Sequence, residues 1–206
     1  MKKVIIISLL FTVPFQICFA GIFYSNIVVT STEKEPLEKV LSELDVTAYY
    51  TFQNSQGVIY EKTIDTQDIL YGRKLSRELS EKLNTVTVYT TNHDSDVLFV
   101  YIFKNGRMLF AYNSNPGYFS GDDLLPEIID MDVLLDEFTD VEKEALIHVL
   151  RSEEIFVEEI HWGLCDLFGL PVYSIGLGYD YLNYVEDNEM AEIEKEFNIQ
   201  FEKTEK

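Results

Sequence analysis

The sequence predicts an α+β protein: a mainly antiparallel sheet of about five to six strands, two helices on one face of that sheet, and a C-terminal helical segment. Three observations support this. Asn105-Gly106 separates two apolar runs, and Asn-Gly is the strongest short hairpin signal because both central residues of a type I′ turn have positive φ. Up to Tyr112, strand-like and helical periodicities alternate in the order β-α-β-β-α-β-β-β. Helical patterns dominate after residue 121.

The strands follow from alternating or continuous apolar runs. They are predicted at 21–29, 46–52, 58–62, 85–90, 97–103 and 108–112. The run 97–103 is apolar on both faces, which is typical of a central strand covered on both sides. The turn at Asn105-Gly106 predicts these pairs across the hairpin: Lys104 with Arg107, Phe103 with Met108, Tyr101 with Phe110, and Phe99 with Tyr112.

The helices follow from apolar spacing and from residues that begin or end helices. They are predicted at 35–44, from a cap at Asp65 or Thr66 to about 84, at 130–138, from a capping box at 139–142 to 150, from a Ser152 cap over 153–168, and at 189–201. Pro36 suits a first helical position, and Gly169 with Pro171 suits a helix end. Residues 172–182, rich in Tyr and Gly, fit either a strand or an extended loop.

Residues 1–20 have the layout of a secretory signal peptide. Lys2 and Lys3 precede an apolar run over 4–13, and Cys18-Phe19-Ala20 places small residues before Gly21. We expect cleavage after Ala20 and a periplasmic or secreted protein, with an uncleaved inner-membrane anchor as the alternative. The remaining chain divides into a sheet region, 21–121, and a helical region, 122–206, packed on the same domain.

The charge balance restricts the partners that the chain can bind. Thirty-six acidic residues face sixteen basic ones, for a net charge of -20, and loss of Lys2 and Lys3 makes it -22. Such a charge disfavours nucleic acid and anionic membranes. It favours either solubility alone or a basic protein partner attracted by long-range electrostatics. The oligomeric state stays open.

Cleavage after Ala20 would leave Cys165 as the single cysteine, so no internal disulfide can form. Cys165 lies in an apolar helical pattern, which favours a buried, inert thiol over a nucleophile.

Two groups of residues could carry chemistry. His93, Asp94 and Asp96 form a His-Asp-x-Asp turn that could bind a cation or act as a base with its carboxylate, or could simply cap backbone groups. Glu158 and His161 are three residues apart on one helix, which is half of a di-iron site. No second pair occurs, so a histidine at the edge of the core, bonded to Glu158, is favoured. We expect no cofactor and no enzymatic activity.

Aromatic residues gather in two places. Tyr112, Tyr118 and Phe119 follow the hairpin, and a second group lies near the C-terminus: Tyr173, Tyr179, Tyr181 and Tyr184. Tyrosines near acidic loops suit a contact surface for a basic protein, whereas core packing with bonded hydroxyls is the alternative.

Several motifs resemble a family of small uncharacterised bacterial proteins. The motifs are Asn92-His-Asp-Ser-Asp-Val-Leu98, the Asn105-Gly106 turn, the run 112–119, and a C-terminal pattern from Phe156 through His161 and Leu170-Pro171 to Leu182. The resemblance spans most of the chain after residue 20 and assigns no catalytic residue. Family members begin near the position of Gly21 and lack an export signal, so the resemblance implies a cytosolic-type domain diverted to the cell envelope.

These observations favour an exported interaction protein, specifically a periplasmic immunity protein that neutralises a basic antibacterial effector delivered by type VI secretion. The alternatives are a metal-binding protein or enzyme that uses the His93 turn, and a solute- or envelope-binding module that uses the C-terminal tyrosines. Antiparallel pairing places the 93–96 turn and the 112–119 loop at the same end of the sheet. The predicted partner-binding residues are Asp94, Asp96, Tyr112, Tyr118, Phe119, Asp122 and Asp123.

Overall fold

The computed structural model describes residues 21–153 and 155–204. The predicted signal peptide, residues 1–20, lies outside the described residues, so its cleavage stays a prediction. The described chain is α+β, with one eight-stranded antiparallel sheet and eight α-helices, which confirms the predicted fold class with a larger sheet than the five to six strands expected. Among the described residues, no helix combines the length and apolar character needed to cross a membrane.

The secondary-structure elements follow one another along the chain with short connections. The strands are β1 (Tyr24–Val29), β2 (Ala48–Gln53), β3 (Gln56–Glu61), β4 (Val86–His93), β5 (Val97–Lys104), β6 (Arg107–Asn113), β7 (Glu127–Ile129) and β8 (Glu202–Lys203). The helices are α1 (Lys34–Glu43), α2 (Lys62–Asp65), α3 (Ile69–Leu83), α4 (Met131–Glu137), α5 (Lys143–Leu150), α6 (Val157–Phe168), α7 (Tyr179–Tyr184) and α8 (Asp187–Phe197), with a 3-10 turn at Val172–Ser174.

The strand order across the sheet is β7-β6-β5-β4-β1-β3-β2-β8, and every described pair is antiparallel. Strands β1, β4 and β5 therefore lie in the interior of the sheet. The predicted central position of 97–103 is correct, since β5 pairs with β4 on one side and β6 on the other.

The β5–β6 hairpin turns at Asn105 and Gly106, whose φ angles of 51° and 74° fit the predicted type I′ turn. Lys104 pairs with Arg107 and Phe103 with Met108, as predicted. The register then shifts at a bulge between Ile102 and Phe103.

The predicted pairs beyond that bulge are wrong. Phe110 lies opposite Ile102 rather than Tyr101, and Tyr112 lies opposite Val100 rather than Phe99. A bulge sets two residues of one strand against one of the other, which moves every later pair by one position. The shift places Phe110 and Tyr112 in the same buried cluster as Val100 and Ile102.

The two additional strands, β7 and β8, form the two edges of the sheet. β7 is three residues long and pairs with β6, and β8 is two residues long and pairs with β2. Segments this short carry no readable alternation, so their pairing depends on an edge that is already formed.

Helices cover both faces of the sheet. One buried cluster contains Ile27 and Val29 of β1 together with α1 and α3, which are the two helices predicted for one face. The other contains the intervening Val28 together with residues of α4, α5 and α6. Side chains alternate along a strand, so Val28 lies on the face opposite Ile27 and Val29. Residues before and after position 121 both contribute to the second cluster.

Several predicted helix boundaries are wrong. Asp68, rather than Asp65 or Thr66, caps α3 through Tyr71 N, at 2.9 Å. No capping box forms at 139–142, because a turn closed by Val141 N on Phe138 O separates α4 from α5. The predicted 189–201 helix runs instead from Asp187 to Phe197.

Helix α6 begins later than predicted. Its first residue is Val157, and Phe156 rather than Ser152 occupies the cap position. Val157 N donates to Ser95 O at 3.1 Å, so the first turn of α6 docks directly on the β4–β5 turn.

Candidate functional site

The candidate site is built on the turn that joins β4 to β5. Asp94 and Ser95 both have left-handed backbone conformations, with φ of 60° and 59°, and Asp96 N donates to His93 O at 3.1 Å. Asp tolerates this region better than most residues because its short side chain can bond locally, whereas Ser gains less from it. Contacts from elsewhere in the chain must therefore stabilise this turn.

The segment before β1 supplies the first of these contacts. Gly21 N donates to Asp94 Oδ1 at 2.8 Å, and Ile22 N donates to Ser95 Oγ at 2.9 Å. Ser95 N in turn donates to Ile22 O at 3.2 Å. These three bonds connect residues more than seventy positions apart.

Helix α6 supplies the second set. Ser95 Oγ donates to Glu158 Oε1 at 2.6 Å, and Asn92 Nδ2 donates to the same oxygen at 2.8 Å. A carboxylate that accepts two side-chain hydrogen bonds fixes its donors more strongly than a neutral acceptor would. Glu158 therefore orients the turn. The predicted bond between Glu158 and His161 is wrong.

His161 bonds a different residue. It is fully buried, and its Nδ1 lies 2.8 Å from the hydroxyl of Tyr24. Burial lowers the pKa of His161 to about 3, so the ring is neutral at physiological pH. This core histidine packs on β1 through Tyr24.

The His93 ring forms the centre of an aromatic group at this end of the sheet. Its centroid lies 5.0 Å from that of Phe23, 5.1 Å from that of Phe119 and 5.7 Å from that of Tyr118, all edge to face. Phe23 and Phe119 are 51% and 69% exposed. The predicted meeting of the 93–96 turn with the 112–119 loop is confirmed by these contacts.

The carboxylates of Asp96 and Asp94 lie near Tyr118 of the aromatic group. Tyr118 donates its hydroxyl to Asp96 Oδ2 at 3.3 Å. Loss of solvation and the negative charges of Asp96 and Asp94 raise the pKa of Tyr118, which keeps its hydroxyl a proton donor.

The loop that carries Tyr118 and Phe119 folds back on itself. Asp122 N donates to Gly117 O at 3.2 Å, and Ser120 Oγ donates to Asp122 Oδ2 at 2.7 Å. Gly117 is needed there, because a Cβ would overlap the backbone of Asp122. Asp122 and the following Asp123 are exposed.

We call this region the acidic aromatic surface. It comprises Phe23, Asp94, Asp96, Tyr118, Phe119, Asp122 and Asp123. Of the predicted partner-binding residues, Tyr112 alone lies elsewhere: it is 1% exposed and donates its hydroxyl to Leu150 O at 2.8 Å. The sequence prediction missed Phe23, whose position at the start of a predicted strand gave no sign of contact with His93.

The geometry gives little support to a cation or acid–base site. His93 Nδ1 bonds Gln67 Oε1, while Asp94 and Asp96 bond Gly21 and Tyr118. Each side chain of the turn thus has a separate partner. Across residues 21–153 and 155–204, no group of three or more His, Cys, Asp or Glu side chains is arranged to hold a metal ion.

The C-terminal tyrosines differ in exposure, and Tyr181 is 42% exposed. Tyr173 and Tyr179 are buried, whereas Tyr184 is 81% exposed. Lys203 Nζ lies 4.6 Å from the ring centre of Tyr49 and 5.8 Å from that of Tyr179, which binds the C-terminal segment to β2.

Cys165 is buried, as predicted. Burial raises the pKa of its thiol to about 12, so the reactive thiolate is not populated at neutral pH.

Fold and site together define an α+β protein with an eight-stranded antiparallel sheet whose one end carries exposed aromatic rings among carboxylates. No protein-family model, no curated protein and no solved structure matches the chain.

Proposed function

We propose that this chain is an exported acidic interaction protein whose acidic aromatic surface binds a basic protein. The exposed rings of Phe23 and Phe119 carry this proposal, together with the carboxylate of Asp96 that Tyr118 bonds and the exposed Asp122 and Asp123 that follow Phe119 in the chain. Exposed aromatic side chains next to one another are common anchors of protein interfaces, and a partner can desolvate them without reorganising the sheet.

The charge of the surface indicates the chemistry of the partner. The chain carries a net charge of -20, and the rings are bordered by carboxylates. Lysine and arginine side chains of a partner would pair with these carboxylates, and the arginine guanidinium also stacks on aromatic rings. The whole-molecule charge would speed the approach of such a partner.

The class of interaction protein that fits best is a periplasmic immunity protein, acting on a basic antibacterial toxin delivered by type VI secretion. The export pattern of residues 1–20 supports the compartment. Loops fixed to a rigid sheet support fast capture of a toxin, because little conformational entropy is lost on binding.

Binding kinetics test this proposal. The purified protein is mixed with a basic toxin, whose gene we expect beside its own, and the association rate is measured between about 50 and 300 mM salt. We expect a tight complex whose association rate falls steeply with salt, because ions screen long-range attraction.

A matched pair of triple variants locates the surface. Asp96→Lys, Asp122→Lys and Asp123→Lys reverse three charges on the acidic aromatic surface. The control variants Glu144→Lys, Glu192→Lys and Glu196→Lys reverse three exposed charges on α5 and α8. Both sets change the net charge equally and should slow association to a similar extent. We expect the first set to weaken binding by about 100-fold or more beyond the second, because it alone reverses charges on the proposed surface. Equal losses in the two sets would contradict the proposed surface.

A further inference from the structure

The backbone nitrogen of Gly21 lies against the carboxylate of Asp94. The distance to Asp94 Oδ1 is 2.8 Å, and the contact is partly buried. The next residue is fixed by two further bonds, from Ile22 N to Ser95 Oγ and from Ser95 N to Ile22 O. Gly21 therefore reaches Asp94 because its neighbour is already held in place.

Only glycine fits at this position. A Cβ on Gly21 would overlap the carbonyl carbon and oxygen of Asp94, which are backbone atoms that cannot rotate away. The absence of a side chain is what allows the nitrogen to reach the carboxylate.

We propose that Asp94 is a binding seat for the α-ammonium group of Gly21, generated when the Ala20–Gly21 bond is cleaved; this rests on the export and processing proposed above. An endopeptidase of the signal-peptidase class would supply the hydrolysis. One water is consumed, the C–N bond breaks, the hydroxyl group goes to the carbonyl carbon of Ala20, and the amine stays on Gly21 and binds one further proton. A single amide donor thereby becomes an ammonium group with three donors and a positive charge, which strengthens its bond to a carboxylate.

The position of this seat connects processing to the acidic aromatic surface. Asp94 belongs to that surface, and Phe23, whose ring contacts His93 there, follows Gly21 by two residues. The ammonium group would also compensate the charge of Asp94, which leaves Asp96, Asp122 and Asp123 to meet the partner.

The reactivity of the α-amine tests the seat. The full-length gene is expressed with export, the product is purified from the periplasm, and its intact mass gives the first residue. Acylation of the α-amine is then followed by mass spectrometry between about pH 6 and 10, which yields the pKa of the amine. The titratable groups around it are Asp94, Asp96 and His93 on the turn, and Glu158 of α6 across Ser95.

We expect a mass that begins at Gly21 and an amine pKa above the ordinary value of about 8, because a carboxylate favours the charged form. Asp94→Asn should lower that pKa and raise the acylation rate at pH 7, about tenfold for each unit of pKa. The matched control, Asp96→Asn, removes the same charge from the same turn without touching Gly21, and should leave the rate near that of the wild type.

A second variant keeps the test independent of how well Asp94→Asn folds. Insertion of one alanine between Ala20 and Gly21 moves the amine one residue beyond the seat, and it should then react like an ordinary α-amine. A different first residue, an ordinary wild-type pKa, or equal rates in Asp94→Asn and Asp96→Asn would overturn the proposal. The measurement uses no partner, so its failure is distinguishable from a failure to bind a toxin.

Discussion

Ser95 joins three segments of the chain at one end of the sheet. Its Oγ accepts from Ile22 N and donates to Glu158 Oε1, and its backbone oxygen accepts from Val157 N. The sequence places Ser95 in a turn but does not indicate these partners, which lie more than sixty positions away. Long-range hydrogen bonds leave no local pattern that could reveal them.

Ser95→Ala should destabilise the protein by about 1.5 to 3 kcal/mol, because Oγ bonds a partly buried carboxylate and Ile22 N loses its acceptor. The free energy of unfolding in urea measures this. Ser120→Ala, on an exposed loop position, is the control and should stay within about 0.5 kcal/mol of the wild type. Equal effects of the two substitutions would show that Ser95 does not hold the turn.

His161 gives the protein an acid-sensitive contribution to stability. Its pKa is about 3 in the folded state against 6.5 as the ordinary value. Between these values the unfolded chain binds a proton that the folded one does not, so this stability is complete above pH 6.5 and is lost as pH falls towards 3.

In His161→Asn this pH dependence should disappear. Unfolding free energies of wild type and variant, measured from pH 7 to 4, should differ by an amount that changes with pH. His148→Asn, on the exposed side of α5, is the control and should give a constant difference from the wild type. A constant difference for His161→Asn as well would contradict burial of a neutral ring.

At the scale of elements, Asp65 connects α2 to β1 and α7. Its Oδ1 accepts from Ser25 N at 3.1 Å and its Oδ2 from Asp180 N at 2.7 Å. Burial nevertheless raises the pKa of Asp65 to about 6, since it outweighs the two N–H donors. The folded state thus holds a proton more tightly than the unfolded chain, and this contribution is present below pH 3.8 and lost as pH rises through about 6.

Asp65→Asn should remove this trend, which runs opposite to that of His161. The unfolding free energy of the wild type relative to Asp65→Asn should fall by about 1 to 2 kcal/mol between pH 4 and 7. Asp166→Asn, at an exposed position on α6, is the control and should show a much smaller change. An increase of the wild-type advantage over the same range would contradict the raised pKa.

Elements with strong local signals were predictable and those without were not. The Asn105-Gly106 turn, six strands and the helices α1 and α3 follow from turn chemistry and periodicity. The bulge in the β5–β6 hairpin moved Phe110 and Tyr112 by one position. The sequence did not indicate this bulge, since either register places apolar residues opposite apolar ones. The edge strands β7 and β8 are too short to be read locally.

For the molecule as a whole, the useful prediction from the sequence was that the 93–96 turn and the 112–119 loop lie at the same end of the sheet. Antiparallel pairing predicts that Asp94, Asp96, Tyr118 and Phe119 lie at one end of the sheet. The contacts of His93 with Tyr118 and Phe119, and of Tyr118 with Asp96, agree with this. The same argument failed for Tyr112, because a strand residue can face the core even when the loop after it is exposed. The face that a residue occupies depends on the register, which the bulge changed.

The measurement that tests the central claim most directly is protection of growing cells against a basic toxin whose gene we expect beside this one. Cells that export the wild-type chain, or the control triple variant of Glu144, Glu192 and Glu196, should survive toxin delivered to the periplasm. Cells with Lys at positions 96, 122 and 123 should die at the same toxin dose, provided that the variant accumulates to the same level. Death of the wild-type cells, or survival with the triple variant at 96, 122 and 123, would contradict the account.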